Sequence, residues 1–249
     1  MWKSGAFLVA IVLLLTHCAA PMSQQGGPAR ELSQVDRGKE ALAKQDYNRA
    51  IFHFDMAISA EPANADAYYG RAIAYGLRGQ HDQAVADMSK VIALKPSDPK
   101  GYSARGAIYV YRGLYKEAIA DFGESLRLDP SNASTLSERG EAYRSAGDYR
   151  RAMEDFNQAL TLNPNLQAAY FGRGMTLARM GKIDQAIGEL SRAIELDPNY
   201  AEAYYSRAVC YYRIKDYNRS WDDLKQSSRL GWVPEPSFLL DLRNATGVY

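Results

Sequence analysis

An arginine returns every 34 residues in this chain, six times without a miss: Arg37, Arg71, Arg105, Arg139, Arg173 and Arg207, each followed by Gly or Ala. A fixed period of that length belongs to a stacked repeat array, in which one unit cannot bury its apolar face alone and its neighbours complete the core. The fold therefore follows from one unit. Repeats beginning at Glu31, Ala65, Pro99, Ala133, Gln167 and Ala201 span 31–64, 65–98, 99–132, 133–166, 167–200 and 201–234. Position 8 is always small: Gly38, Ala72, Gly106, Gly140, Gly174 and Ala208. Position 20 is Ala in five repeats and Ser220 in the sixth, and position 27 is Ala57, Val91, Ser125, Ala159, Ala193 and Ser227. Small residues at these spacings let two helices approach closely. Position 32 is Pro62, Pro96, Pro130, Pro164, Pro198 and then Trp232, and proline cannot continue the preceding helix. A polar turn with Gly79, Gly113, Gly147 or Gly181 separates the two halves, so each repeat reads as helix, turn, helix.

These residues resemble the tetratricopeptide repeat family, whose pattern has Gly at position 8, Tyr at 11, Ala at 20, an aromatic at 24 and Pro at 32. The third repeat carries nearly all of it in Tyr102, Gly106, Tyr109, Ala118, Phe122 and Pro130. The resemblance covers residues 31–234 and implies an all-α fold, an α-solenoid wound as a right-handed superhelix of six hairpins. The end repeats drift, as units facing water do. Residues 236–244 read as a short amphipathic helix over the last repeat, with Ser237 as its cap and Gly247 beyond its end, inside a capping segment at 235–249.

The N-terminus places the array. Lys3 precedes the apolar run Ala6–Leu15, which is shorter than the roughly 20 residues of a membrane span and reads as a secretory signal over 1–17. Leu15-Thr16-His17-Cys18 is similar to the lipobox of bacterial lipoproteins, in which the cysteine becomes a lipidated N-terminus; His17 stands where that pattern has a small residue. Cleavage after Ala20, beside Pro21, or an uncleaved N-terminal anchor are the alternatives. All three readings export the repeats. Residues 18–30 then form a flexible tether. The resemblance implies a bacterial envelope protein, and Ala19 after the cysteine implies an outer-membrane lipoprotein facing the periplasm; a soluble periplasmic or secreted form is the other outcome.

Composition narrows the partners. Lys plus Arg is 30 against 29 Asp plus Glu, so no basic field exists to hold nucleic acid. Two cysteines, Cys18 and Cys210, make no disulfide framework, and Cys210 reads as a small core residue. His53 and His81 have no ligand partners at metal-binding spacing. Gly174 to Lys182 ends in Gly-Lys, but its glycines are explained as repeat positions and Ile183 replaces the Ser/Thr of a phosphate loop. The reading is non-catalytic, with no cofactor and no metal.

Function then falls to the surface lined by the first helices. The resemblance implies that positions 2, 5, 9, 12 and 13 face a concave groove that receives a protein or peptide partner. Tyr69, Ile73, Leu77, Val110, Tyr111, Phe171, Met175, Tyr205, Val209 and Tyr212 fall there, with a polar middle of Glu141, Arg144 and Ser145. Of the 18 tyrosines, 12 occupy positions 4, 11 or 17, where aromatic packing explains them. Tyr69, Tyr111, Tyr205 and Tyr212 are surplus, and large amphipathic rings suit partner binding. The alternative partner is cell-wall glycan stacked on those rings. Position 5 lacks the Lys and Asn that a carboxylate clamp requires. The arginine at position 7 is matched by Asp87, Asp121, Asp155, Glu189 and Asp223 at position 23 of repeats two to six, with His53 in repeat one. A partly buried guanidinium without a partner is costly, so these pairs are expected to fasten hairpins rather than bind an anion.

Overall fold

The computed structural model describes residues 32–247, so the signal segment, Cys18, the whole tether and Tyr249 lie outside the described residues. Thirteen α-helices and no strand fill that range: α1 Gln34–Ala43, α2 Tyr47–Ala60, α3 Ala65–Leu77, α4 His81–Leu94, α5 Pro99–Tyr111, α6 Tyr115–Leu128, α7 Ala133–Ser145, α8 Tyr149–Leu162, α9 Gln167–Arg179, α10 Ile183–Leu196, α11 Ala201–Arg213, α12 Tyr217–Arg229 and α13 Pro236–Thr246. They fall into two compact units, Met1–Pro130 with α1–α6 and Ser131–Tyr249 with α7–α13. Within each unit the two helices of a repeat pack on each other, and the second helix then packs on the first helix of the next repeat.

Local chemistry sets the helix ends. The side chains of Ser33, Asn64, Asp98 and Asn132 accept hydrogen bonds from the backbone N–H of Asp36, Ala67, Lys100 and Thr135, capping four of the first helices. Pro99 follows its cap in the first turn, where a missing N–H costs nothing. Between the helices of repeats two to five, Gly79, Gly113, Gly147 and Gly181 carry φ of 77°, 75°, 86° and 80°. Repeats one and six put Gln45 (φ 59°) and Lys215 (φ 63°) at the same place, a left-handed conformation that a Cβ disfavours.

The core is built where rings meet missing side chains. Phe54 is fully buried between two helices, and a Cβ on Gly38 or Gly70 would lie 2.6 or 2.3 Å from its ring. Phe156 repeats this arrangement between Gly140 and Gly172, at 2.9 and 2.4 Å. Position 8 thus admits the ring of its own hairpin, and position 6 admits the ring of the preceding one.

The C-terminal helix spans Pro236–Thr246, two residues longer than the sequence reading, and its N-cap is Glu235 and not Ser237. Pro236 occupies its first turn behind Glu235, and Ser237 lies inside the helix instead of capping it. Proline is tolerated at that position because its absent N–H would be unsatisfied anyway. Gly247, with φ 67°, closes the helix at its other end. Leu242 on this helix is fully buried, and Trp221 Nε1 donates to Thr246 Oγ1 at 3.2 Å.

Candidate functional site

The recurring arginines resolve into one repeated motif. Each of Arg71, Arg105, Arg139, Arg173 and Arg207 donates through Nε and Nη2 to both oxygens of the acid sixteen residues on, Asp87, Asp121, Asp155, Glu189 and Asp223, at 2.7 to 2.9 Å. This fork-on-carboxylate geometry joins the two helices of one hairpin. Donating to Asp87 raises the Arg71 pKa above the ordinary arginine value, against the opposing effect of burial, and the bonds to Asp121 and Asp155 do the same for Arg105 and Arg139. Tyrosines at positions 4 and 11 lie beside the guanidinium: Arg71 has Tyr68 and Tyr75 at 5.4 and 5.7 Å, Arg207 has Tyr204 and Tyr211 at 5.7 and 5.8 Å.

A further bond was not foreseen from the sequence. The third nitrogen, Nη1, reaches the preceding hairpin: Arg71 to Asp55 at 2.6 Å, Arg105 to Ser89 at 2.9 Å, Arg173 to Asn157 at 2.8 Å and Arg207 to Ser191 at 2.8 Å. Position 25 supplies all four acceptors, but its chemistry changes from repeat to repeat, so it shows no conserved-looking ladder. In repeat one, His53 Nδ1 is 2.8 Å from Gln34 Oε1.

The proposed groove residues divide into three groups. In the first unit Ile73 is core, while Tyr69 and Leu77 are half-buried against the same cluster. Val110 and Tyr111 on α5 are also half-buried, and the Tyr111 ring lies 4.6 Å from that of His81. In the second unit Met175 is buried and Phe171 is half-buried, its ring 5.0 Å from Tyr200. Tyr205, Val209 and Tyr212 form the seat of the C-terminal helix. Tyr205 is only 4% exposed, with Trp232 and Phe238 at 5.8 and 5.6 Å, and Phe238 also meets the Tyr212 ring at 5.6 Å. These two surplus tyrosines are taken up by packing, because Trp232 at position 32 of the sixth repeat and Phe238 of the C-terminal helix bring aromatic rings to them.

The polar middle is a charged cluster on the first helices of the second unit. Arg144 Nε donates to Glu141 Oε2 at 2.8 Å, and a second bond joins Arg144 Nη2 to Glu141 Oε1. Burial opposes the charge of Arg144, yet Glu141 at contact and Glu202 beyond it raise its pKa. Burial pushes the Glu202 carboxyl up to about 7, with the charge of Glu141 acting in the same direction and Arg144 against it. Burial also raises the Tyr200 phenol, with Glu202 and Glu141 adding to the shift. On α7, burial alone pushes Glu138 up to about 7. Glu141 and Arg144 stand out in the sequence; Tyr200 and Glu202 do not, because they come from the far end of repeat five and the start of repeat six.

Among the described residues, no group of three His, Cys, Asp or Glu is placed to hold a metal ion, and no helix is long and apolar enough to cross a membrane. Burial raises the Cys210 thiol to about 11, which keeps it protonated at neutral pH.

Helical hairpins with a small-residue seam, ring-into-glycine packing and a bidentate clasp define a helical-repeat interaction scaffold. The chain belongs to the tetratricopeptide repeat family. Models described as tetratricopeptide repeat match residues 35–99 and 133–166, and one described as TPR repeat matches 106–145 and 176–215. Over 69 residues the chain is 35% identical to the heat-shock protein cognate co-chaperone sgt12 of Aspergillus fumigatus, covering 27% of this chain and 20% of that protein. Among solved structures it resembles the APC/C hetero-tetramer Cut9-Hcn1, with a TM-score of 0.74, 21% identity, 86% of this chain and 42% of that one covered. It also resembles YrrB, described as a TPR protein with an unusual peptide-binding site, with a TM-score of 0.55, 26% identity, 77% of this chain and 97% of that one covered. The chain thus spans a fifth of the co-chaperone and under half of the Cut9 chain. The tetratricopeptide fold is in general a non-catalytic scaffold for protein or peptide partners.

Proposed function

We propose that this protein is a non-catalytic scaffold of the bacterial cell envelope, tethered by lipid at Cys18, whose first helices hold extended peptide segments of partner proteins. One observation carries the reading. Tyr69, Leu77 and Val110 lie on successive first helices of the first unit and remain half-buried, although neighbours on the same helices, such as Ile73, are fully enclosed. Such side chains offer apolar area to a partner at little cost in conformational entropy. In the second unit the half-buried Phe171 and the Glu141–Arg144 pair offer a mixed apolar and charged surface. The likeness to a protein titled for its peptide-binding site supports this choice of ligand. A glycan reading draws on the same rings, but Tyr205 and Tyr212 already have aromatic partners, which leaves too few for a row of stacked sugars.

The test is site-specific photo-crosslinking in intact cells. A photoreactive residue in place of Val110 is expected to yield discrete protein adducts that are lost in Tyr69→Ala/Leu77→Ala, while one in place of Gln158, on an outer helix, yields none. Equal adducts at both sites, or adducts unchanged in the double variant, would reject the groove. Retention of the purified protein on peptidoglycan, abolished by the same double variant, would transfer the site to glycan. Membrane fractionation of Cys18→Ser separately tests the anchor, and wild-type behaviour of that variant would remove it.

A further inference from the structure

The first hairpin carries two large apolar side chains where the other repeats have small or polar residues. Phe52 and Met56, one turn apart on the outer face of α2, are 59% and 46% exposed. They occupy repeat positions 22 and 26. At position 22 the other five repeats have Ala, Ala, Glu, Gly and Asp, and at position 26 they have Lys, Glu, Gln, Arg and Gln. The repeat itself therefore asks for nothing large and apolar at either place, and core packing does not explain them. Beside the patch, a cavity of about 460 Å³ is lined by Arg37, Lys44 and Arg49 together with Glu40, Asp46, Ala41, His53 and the exposed Leu32. Arg49 precedes Phe52 by one helical turn on the same exposed face. Lys44 Nζ donates to Glu40 Oε1 at 2.6 Å, and three basic against two acidic side chains leave the lining with one net positive charge. A net cationic rim beside exposed apolar side chains matches the boundary of a phospholipid layer, where phosphates lie above acyl chains.

The position of this hairpin in the chain points to the same occupant. About 14 residues separate Cys18 from Leu32, a reach of at most about 50 Å, so a lipid at Cys18 holds this hairpin, of the six, within the shortest reach of the membrane. We infer that the outer face of α2 rests on the membrane surface, with Phe52 and Met56 entering the acyl boundary and anionic phospholipid headgroups meeting the cavity of Arg37, Lys44 and Arg49. This inference rests on the envelope reading for its occupant, while its structural basis is independent of whether Cys18 is acylated. Its consequence is orientation: the first hairpin is fixed against the bilayer, which sets the direction in which its own first helix faces.

An environment-sensitive fluorescent amino acid replacing Met56 in the full chain reads the contact directly, with the same residue replacing Gln158 as the equivalent position of repeat four. Vesicles of phosphatidylethanolamine and phosphatidylglycerol are expected to shift emission at position 56 to the blue and raise it at least twofold, with no change at 158. Lys44→Gln/Arg49→Gln is expected to raise the lipid concentration for half-maximal change several-fold. Both side chains are solvent-facing, so circular dichroism should show the variant folded. An unchanged signal at 56, whether or not the chain sediments with the vesicles, overturns the inference. So does a blue-shifted signal before vesicles are added: if it depends on protein concentration the occupant is a second copy, and if not it is the chain's own N-terminal segment. Intact mass of membrane-extracted protein reports acylation of Cys18 separately, so the anchor can fail while the vesicle contact stands.

Discussion

The arginine at position 7 shows how one side chain can hold two hairpins. In Arg71, Nε and Nη2 are committed to the acid of its own hairpin and Nη1 to position 25 of the preceding one, whereas Arg139, which follows Gly123 at that position, is held by its own hairpin's acid. Removing the arginine strands a carboxylate in a low-dielectric site, which costs more than the intact pair contributes. Asp155 is only 5% exposed, so Arg139→Ala is expected to destabilise the protein by about 3 kcal/mol in urea unfolding. Arg139→Leu/Asp155→Leu should recover most of that loss, since neither charge is then buried alone. A double variant as unstable as the single one would show that the loss comes from packing and not from the stranded charge. Phe54 sets a second test. A Cβ on Gly70 would sit 2.3 Å from Phe54 Cζ, and the ring has no solvent to move into. Gly70→Ala should cost about 1–3 kcal/mol by overpacking, whereas alanine is ordinarily the better helix former. Phe54→Leu in the same chain should relieve part of the cost.

At the scale of the helix, the turn within each hairpin separates regular repeats from end repeats. Four turns use glycine at positive φ, and Gln45 and Lys215 force a Cβ into the same conformation. Lys215→Gly should therefore raise stability by about 1 kcal/mol, and Gly147→Lys should lower it by a similar amount. A thermal melt of both variants decides this; a lower Tm for Lys215→Gly would mean that chain entropy outweighs the left-handed strain. The helices were legible in the sequence because each repeat puts the same residue type into the same environment, so the prolines, turn glycines and position-7 arginines report the same geometry six times. The position-25 bond was not legible because Asp, Ser and Asn all accept from a guanidinium and the pattern looks random. The C-terminal helix fooled the sequence in two ways. Ser237 reads as a cap although Pro236 already fits the first turn, and Tyr205 and Tyr212 read as groove residues because the rings that meet them break the pattern: Trp232 replaces the proline of position 32 and Phe238 lies beyond the last repeat.

Across the whole molecule, charge is nearly balanced, at 30 basic against 29 acidic residues, so pH dependence comes from a few displaced groups and not from the overall field. Two lie in the second unit, Glu138 and Glu202, both pushed up to about 7 by burial. An unfolded glutamate titrates near 4.5, so the folded state binds the extra protons between these values. The stability these groups contribute is fully present below about pH 4.5 and is lost as pH rises through 7. By linkage each accounts for on the order of 3 kcal/mol as an upper figure, reduced where water reaches the group. Among the described carboxyls of the first unit, the resolved shifts are at Glu40 and Asp66, both lowered first by hydrogen bonds from lysine, with Lys44 and Lys95 as donors. The pH-sensitive loss is therefore expected in the second unit, which holds two of the three tryptophans, Trp221 and Trp232. Urea unfolding followed by tryptophan emission should show a midpoint falling between pH 5 and pH 8, and Glu138→Gln/Glu202→Gln should flatten the dependence by raising the midpoint at pH 8. A midpoint that rises with pH in the wild type, or a double variant that keeps the full slope, would mean that both carboxyls are ionised at pH 5 and that burial has been met by partners other than the Glu141–Arg144 pair.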